Sequence, residues 1–187
     1  MSPHLRSVIS RLYRPPPAPS SRQVFALPRA DAEQLPPLET LAIVSITPPG
    51  QPDASLPGIA APLILRLSFA DVDFLNIDIS ARAKTRLHER FTAQHAAAIV
   101  EFVAALPPEI RSIVVHCVGG YSRSCAVAKA LNQLYGYAVE HERLEAANPS
   151  ILRVMMEQGA MVPNRRTFVQ ALAQIPNVGD DSDFERA

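Results

Sequence analysis

Tryptophan is absent from this chain and cysteine nearly so, with Cys117 and Cys125 the only two thiols. In 187 residues they cannot supply the dense disulfide framework of a small secreted scaffold, which points to a reducing compartment. No stretch approaches the roughly 18 apolar residues that span a bilayer, and residues 1–22 lack the continuous apolar core of a secretory leader. An excess of one charge is missing too. Eighteen basic residues cancel eighteen acidic ones, so the electrostatic footprint of a nucleic-acid binder is not there. The nucleotide-binding pattern Gly, four residues, Gly-Lys-Ser/Thr does not occur. The chain is expected to be soluble and cytoplasmic, with no membrane span, no nucleic-acid partner and no cofactor, and long enough for one domain with a substantial core.

Proline is abundant, and unevenly placed: 13 of the 18 lie within the first 62 residues. Pro15-Pro16-Pro17-Ala18-Pro19 reads as an extended, semi-rigid linker. Arg6, Arg11, Arg14, Arg22 and Arg29 stand among several serines ahead of Asp31, the first acidic residue. Residues 1–22 therefore read as a basic, flexible arm, with organellar targeting as the alternative that this composition allows. Residues 23–176 read as the folded domain, and 177–187 as a solvated acidic tail.

Within the domain, strands are predicted at Val24–Leu27, Leu41–Ile46, Leu63–Phe69 and Ile113–His116, from short β-branched and apolar runs bounded by turn residues. Helices are predicted at Ala30–Leu35 (one or two turns), Thr92–Leu106, Ser122–Leu134, Glu140–Ala147, Pro149–Gln158 and Arg165–Ile175. Ile99, Phe102, Val103 and Leu106 form an apolar stripe at helical spacing. Pro107-Pro108 ends that helix, and Gly136 stops the one before it would run on past Leu134. Strands alternating with helices require crossovers and hence parallel pairing. The fold class is α/β, a central, mostly parallel sheet of about four to five strands flanked by helices.

The strand at 113–116 runs directly into His116-Cys117-Val118-Gly119-Gly120-Tyr121-Ser122-Arg123-Ser124. In open α/β sheets ligands gather at the carboxyl ends of strands, and Cys117 stands at such an end. Five residues separate Cys117 from Arg123, two of them glycine, a loop short enough to curl with successive backbone N–H groups pointing inward. The following helix adds its N-terminal partial charge, and Arg123 offers a planar fork of donors to two oxygens of a phosphate. Such an electropositive setting favours the nucleophilic thiolate form of a cysteine. His116 could hold the loop, and Ser124 could donate its hydroxyl to the sulfur.

His116-Cys117, five residues, then Arg123-Ser124 resembles the signature loop of the cysteine-dependent protein tyrosine phosphatases, and the short Gly-Gly-Tyr-Ser-Arg-Ser form is most similar to their dual-specificity branch. The resemblance implies that Cys117 attacks phosphorus to form a cysteinyl-phosphate, that Val118 to Arg123 cradle the phosphoryl group, and that water then releases phosphate. It also implies a general acid, worth about 10²–10⁴-fold in rate, on a loop upstream of the cysteine. Asp71, Asp73 and Asp78 all follow the strand ending at Phe69. Asp71 is favoured because it comes first beyond the strand, with Asp73 the alternative. The Trp-Pro-Asp loop of the larger tyrosine phosphatases is missing. The implied substrate is a phosphorylated protein, on phosphotyrosine and by extension phosphoserine or phosphothreonine, or a small aryl phosphate.

Other readings accompany these. A cradle without turnover, as in a pseudophosphatase, and a rhodanese-like sulfurtransferase are the alternative functions. Cys125 reads as a packing residue, with a disulfide to Cys117 as the alternative. Arg82, Lys84, Arg86, His88 and Arg90 read as a solvated loop, or as a face toward a phosphorylated partner. Tyr121 either lines the pocket rim or packs inward, and Arg165-Arg166 opens a surface helix. Phosphoinositide substrates are disfavoured, since the loop has no lysine.

Overall fold

A computed structural model of the chain describes residues 1–14, 22–56, 58–60 and 63–161. The elements are α1 (Pro3–Leu12), β1 (Gln23–Pro28), α2 (Arg29–Ala32), β2 (Leu41–Thr47), β3 (Ile64–Ser68), α3 (Ala81–Thr85), α4 (Ala93–Ala105), β4 (Ser112–Cys117), α5 (Arg123–Tyr135) and α6 (Pro149–Met161). Short 3-10 turns cover Leu87–Glu89 and His141–Arg143. The fold is α/β as expected, and among the described residues the sheet has four strands in the order β1-β4-β2-β3, every pairing parallel. All four carboxyl ends therefore lie along one edge.

The period-two alternation of side chains explains why β2 and β4 are buried throughout their length. Val24, Ala26, Ala42, Val44, Ile46, Ile113, Val115 and Cys117 face one core, built with α4, α5 and α6. Phe25, Leu27, Leu41, Ile43 and Val114 face the other, with α1 and α2. Ile99, Val103 and Leu106 are buried as their spacing predicts, and Phe102 is partly so. Gly136 caps α5 in the left-handed region at φ 69°.

The N-terminal arm differs from expectation. Residues 3–12 form a helix, with Pro3 in its first turn and Ser2 as its cap, the Ser2 hydroxyl accepting the Leu5 N–H at 3.0 Å. Leu5, Val8 and Leu12 recur at three- and four-residue spacing, and all are buried against the second face of the sheet. Glu140 holds the outer side, meeting His4 Nε2 and Arg11 at 3.0 Å each. Arg22 is also part of the fold: its guanidinium donates to the carbonyls of Leu106 (2.9 Å) and Ile110 (2.8 Å), closing the end of α4. Basic composition concealed this helix because its apolar positions number only one per turn.

Smaller differences are local. Residues 141–143 make a single 3-10 turn in place of the helix expected over 140–147, and 82–90 hold α3 and a 3-10 turn in place of a loop. The Pro15–Pro19 linker, the helix expected at 165–175 and the tail at 177–187 lie outside the described residues. Among the described residues no helix is long and apolar enough to cross a membrane.

Candidate active site

β4 delivers Cys117 to the carboxyl edge of the sheet, where it pairs in register with Pro28 of β1. The chain then turns within five residues into α5. Gly120 makes that turn with φ +75°, and a Cβ there would overlap the backbone of Pro28, so only glycine fits. Its N–H points back and donates to Cys117 Sγ at 3.3 Å. Ser124 Oγ lies 3.3 Å from the same sulfur, from the first turn of α5. Cys117 is thus buried, 2 % exposed, with two hydrogen-bonding groups on its sulfur and a helix N-terminus behind it. The Val118 carbonyl accepts from the Arg29 N–H at 3.4 Å, which ties the loop to α2.

Arg123 is buried as well, and one of its terminal nitrogens donates to the carbonyl of Phe69 at 3.0 Å. Among the described residues its Nε has no hydrogen-bond partner, and Asp71 Oδ2 stands 3.8 Å away, an ion-pair distance beyond hydrogen-bond reach. β3 therefore positions the guanidinium through its exit residue, and the loop after β3 brings a carboxylate to it. Asp71 Oδ1 accepts from Ser122 Oγ at 2.8 Å and from Asn148 Nδ2 at 2.9 Å.

The three aspartates diverge. Asp71 meets the cradle through Ser122 and Arg123. The Asp73 carboxylate accepts from the Ser150 hydroxyl at 2.6 Å and the Leu75 N–H at 3.3 Å, which commits it to the first turn of α6 and to its own loop. Asp78 is exposed farther along. Asn148 and Ser150 are the residues that sequence reasoning missed. Asn148 caps α6, its Oδ1 accepting from the Ile151 N–H at 3.1 Å, and its amide reaches Asp71 at the same time. Asn148-Pro149 is a legible cap signal, but the partner 77 positions earlier carries no local mark.

His116 sits beneath the loop on the α1/α2 face of the sheet, 0 % exposed, with Nε2 2.9 Å from Ser45 Oγ. Ser45 is its cross-strand partner in β2. Burial, reinforced by the charge of Arg29 and opposed by Glu33, lowers its pKa to about 4, so the ring is neutral at pH 7. It braces β4 against β2 where the loop departs. Cys125 is a donor, to the carbonyls of Gly120 (3.4 Å) and Arg143 (3.1 Å), and burial pushes its thiol up to about 11. Both cysteines are free thiols, and Cys125 is a packing residue that ties the loop to the turn at 141–143. Tyr121 and Val118 are exposed on the loop's outer side, which places the tyrosine on the rim.

The arrangement sets a buried sulfur, a buried guanidinium and a carboxylate around one short loop at the carboxyl end of β4. Among the described residues no cluster of three or more His, Cys, Asp or Glu could hold a metal ion. Comparison of the chain with protein-family models, with curated proteins and with solved structures finds no match.

Proposed function

We propose that the chain is a cysteine-dependent phosphomonoesterase that hydrolyses phosphotyrosine, and by extension phosphoserine and phosphothreonine, in the cytoplasm. The observation that carries this reading is the sulfur of Cys117 held by the Gly120 N–H and Ser124 Oγ, each at 3.3 Å, at the carboxyl end of β4. The buried Nε of Arg123, which has no hydrogen-bond acceptor among the described residues, supports it, because such a donor is costly unless an anion can reach it.

In the first step the Cys117 thiolate attacks phosphorus, the S–P bond forms and the P–O bond to the leaving group breaks. A proton from Asp71 goes to the departing oxygen. Arg123 and the backbone N–H groups of the loop carry the charge on the phosphoryl oxygens. In the second step water attacks phosphorus, its proton returns to the Asp71 carboxylate, and the S–P bond breaks with the Ser124 hydroxyl donating to the leaving sulfur. The Asn148 amide and the Ser122 hydroxyl orient Asp71.

The test is turnover of an aryl phosphate by the parent chain and by Cys117→Ser, with vanadate as competitor. The serine variant should lose at least about a thousandfold in rate while still binding phosphate. Unchanged turnover would sink the proposal. Phosphopeptide binding by the parent chain without hydrolysis would select the pseudophosphatase, and sulfur transfer from thiosulfate to cyanide would select the sulfurtransferase.

A further inference from the structure

The surface around the cradle has a composition that phosphate chemistry alone does not require. Of the seven large apolar side chains exposed among the described residues, four belong to the two loops that build the site: Leu75 and Ile77 after Asp71, and Val118 and Tyr121 beside Cys117. Ile77 is 96 % exposed. Beyond Asp78 the chain becomes cationic, with Arg82, Lys84, Arg86, His88 and Arg90 against the single carboxylate of Glu89. Arg86 takes that carboxylate at 2.7 Å. Arg82, Lys84 and Arg90 are exposed with no carboxylate partner among the described residues.

This basic segment is fastened to the wall of the site. The Ala70 N–H donates to the Glu89 carbonyl at 2.8 Å, one residue before Asp71. Phe91 packs edge-on against Phe69, ring centroids 4.9 Å apart, and the Phe69 carbonyl is the one that holds Arg123. The segment that presents the cations is therefore anchored at both Phe69 and Ala70. A small phosphate ester would leave both the apolar rim and the cations unused. A polypeptide would use both, provided that it carries negative charge beside the phosphorylated residue.

We propose that Arg82, Lys84 and Arg90, with the apolar rim of Leu75, Ile77 and Tyr121, form a recognition surface for a phosphotyrosyl peptide whose flanking residues are acidic. The inference rests on the phosphoryl site proposed above, and it deepens that reading by naming the substrate class. Apolar contact supplies area, and the cations supply selection, so affinity for such peptides falls as salt screens the exposed charges.

Two labelled phosphotyrosyl peptides test it, identical except that one has Asp and Glu around the phosphotyrosine and the other Asn and Gln. Binding is followed by fluorescence anisotropy on the full chain carrying Cys117→Ser, so that turnover does not consume the probe. The acidic peptide should bind about tenfold more tightly at low salt, from three exposed charge pairs. The gap should close as salt rises and vanish when Arg82→Gln, Lys84→Gln and Arg90→Gln are added. Ile77→Ser should weaken both peptides. The charge-neutralised chain with Cys117 restored should turn over a small aryl phosphate like the parent, which also reports that it is folded.

Equal affinity for the two peptides, or a gap that survives neutralisation, would overturn the inference. So would unchanged affinity in Ile77→Ser, or equally tight binding of the unphosphorylated acidic peptide. Displacement by a soluble inositol polyphosphate at lower concentrations than by the acidic peptide would assign the cations to a polyphosphate ligand, and would also overturn it. If the parent chain hydrolyses no aryl phosphate, the catalytic reading fails, and the binding comparison still decides this one.

Discussion

Asn148 Nδ2 donates to Asp71 Oδ1 at 2.9 Å while Asn148 Oδ1 caps α6, so one buried amide joins the start of a helix to the proposed proton donor. The two roles separate in Asn148→Asp. Aspartate caps a helix about as well as asparagine, but it offers Asp71 no N–H and sets a second carboxylate against it. Stability should stay within about 1 kcal/mol. Hydrolysis of phenyl phosphate, whose leaving group needs a proton, should fall by about tenfold or more, and that of 4-nitrophenyl phosphate much less. Equal losses on the two substrates would count against a positioning role.

Gly120 and Gly119 should respond differently to the same change. In Gly120→Ala the new methyl meets the backbone of Pro28 at a φ of +75°, a left-handed strain of about 1–2 kcal/mol before any overlap is counted. Loss of activity is expected together with a lower melting temperature. In Gly119→Ala the methyl meets the ring of Tyr121, which is exposed and free to swing aside, so near-parent activity is expected. Matched thermal melts and aryl-phosphate rates check both.

Acid should destabilise the fold through His116. Above pH 6.5 its ring is neutral whether folded or unfolded; between 6.5 and about 4 the unfolded chain takes up a proton that the buried ring refuses. Stability is therefore lost as pH falls through that window, by about 2 kcal/mol at pH 5. His95, lowered by burial, acts in the same direction. Glu33, lowered chiefly by its hydrogen bond from Arg29, gives up its contribution only below its ordinary 4.5. Urea midpoints at pH 7 and pH 5 should show the loss in the parent chain and a smaller one in His116→Asn.

Leu5 tests whether α1 belongs to the core. Leu5→Ala removes a side chain that is 0 % exposed between α1 and the sheet, and a cost of about 2–4 kcal/mol in denaturant unfolding is expected. A cost below about 0.5 kcal/mol would instead fit a frayed surface helix.

Much of this architecture is visible in local pattern. The buried strands β2 and β4 announce themselves by unbroken apolar runs, α4 by its stripe, and the end of α5 by Gly136, because each obeys a short-range rule. The cradle is legible for the same reason, since Cys117, Gly120 and Arg123 stand within seven residues of one another. What stayed hidden depends on distant partners. Asp71 is assigned to the cradle by Asn148 and Ser122, Asp73 to α6 by Ser150, and nothing near either aspartate says which is which. α1 was hidden because a helix that buries one narrow stripe can be basic everywhere else.

Strand order carries a consequence for how the protein comes into being. β1 and β2 are not neighbours, for β4 lies between them, so the first 111 residues of a growing chain leave β1 with no strand to pair with. Sheet closure waits for the segment that bears Cys117. Loop closures this long slow folding, and until they occur the apolar edges of β1 and β2 are open to pairing with other chains. The Cys117 sulfur and the completed sheet thus arrive in one event, and a chain cut short before residue 112 has neither.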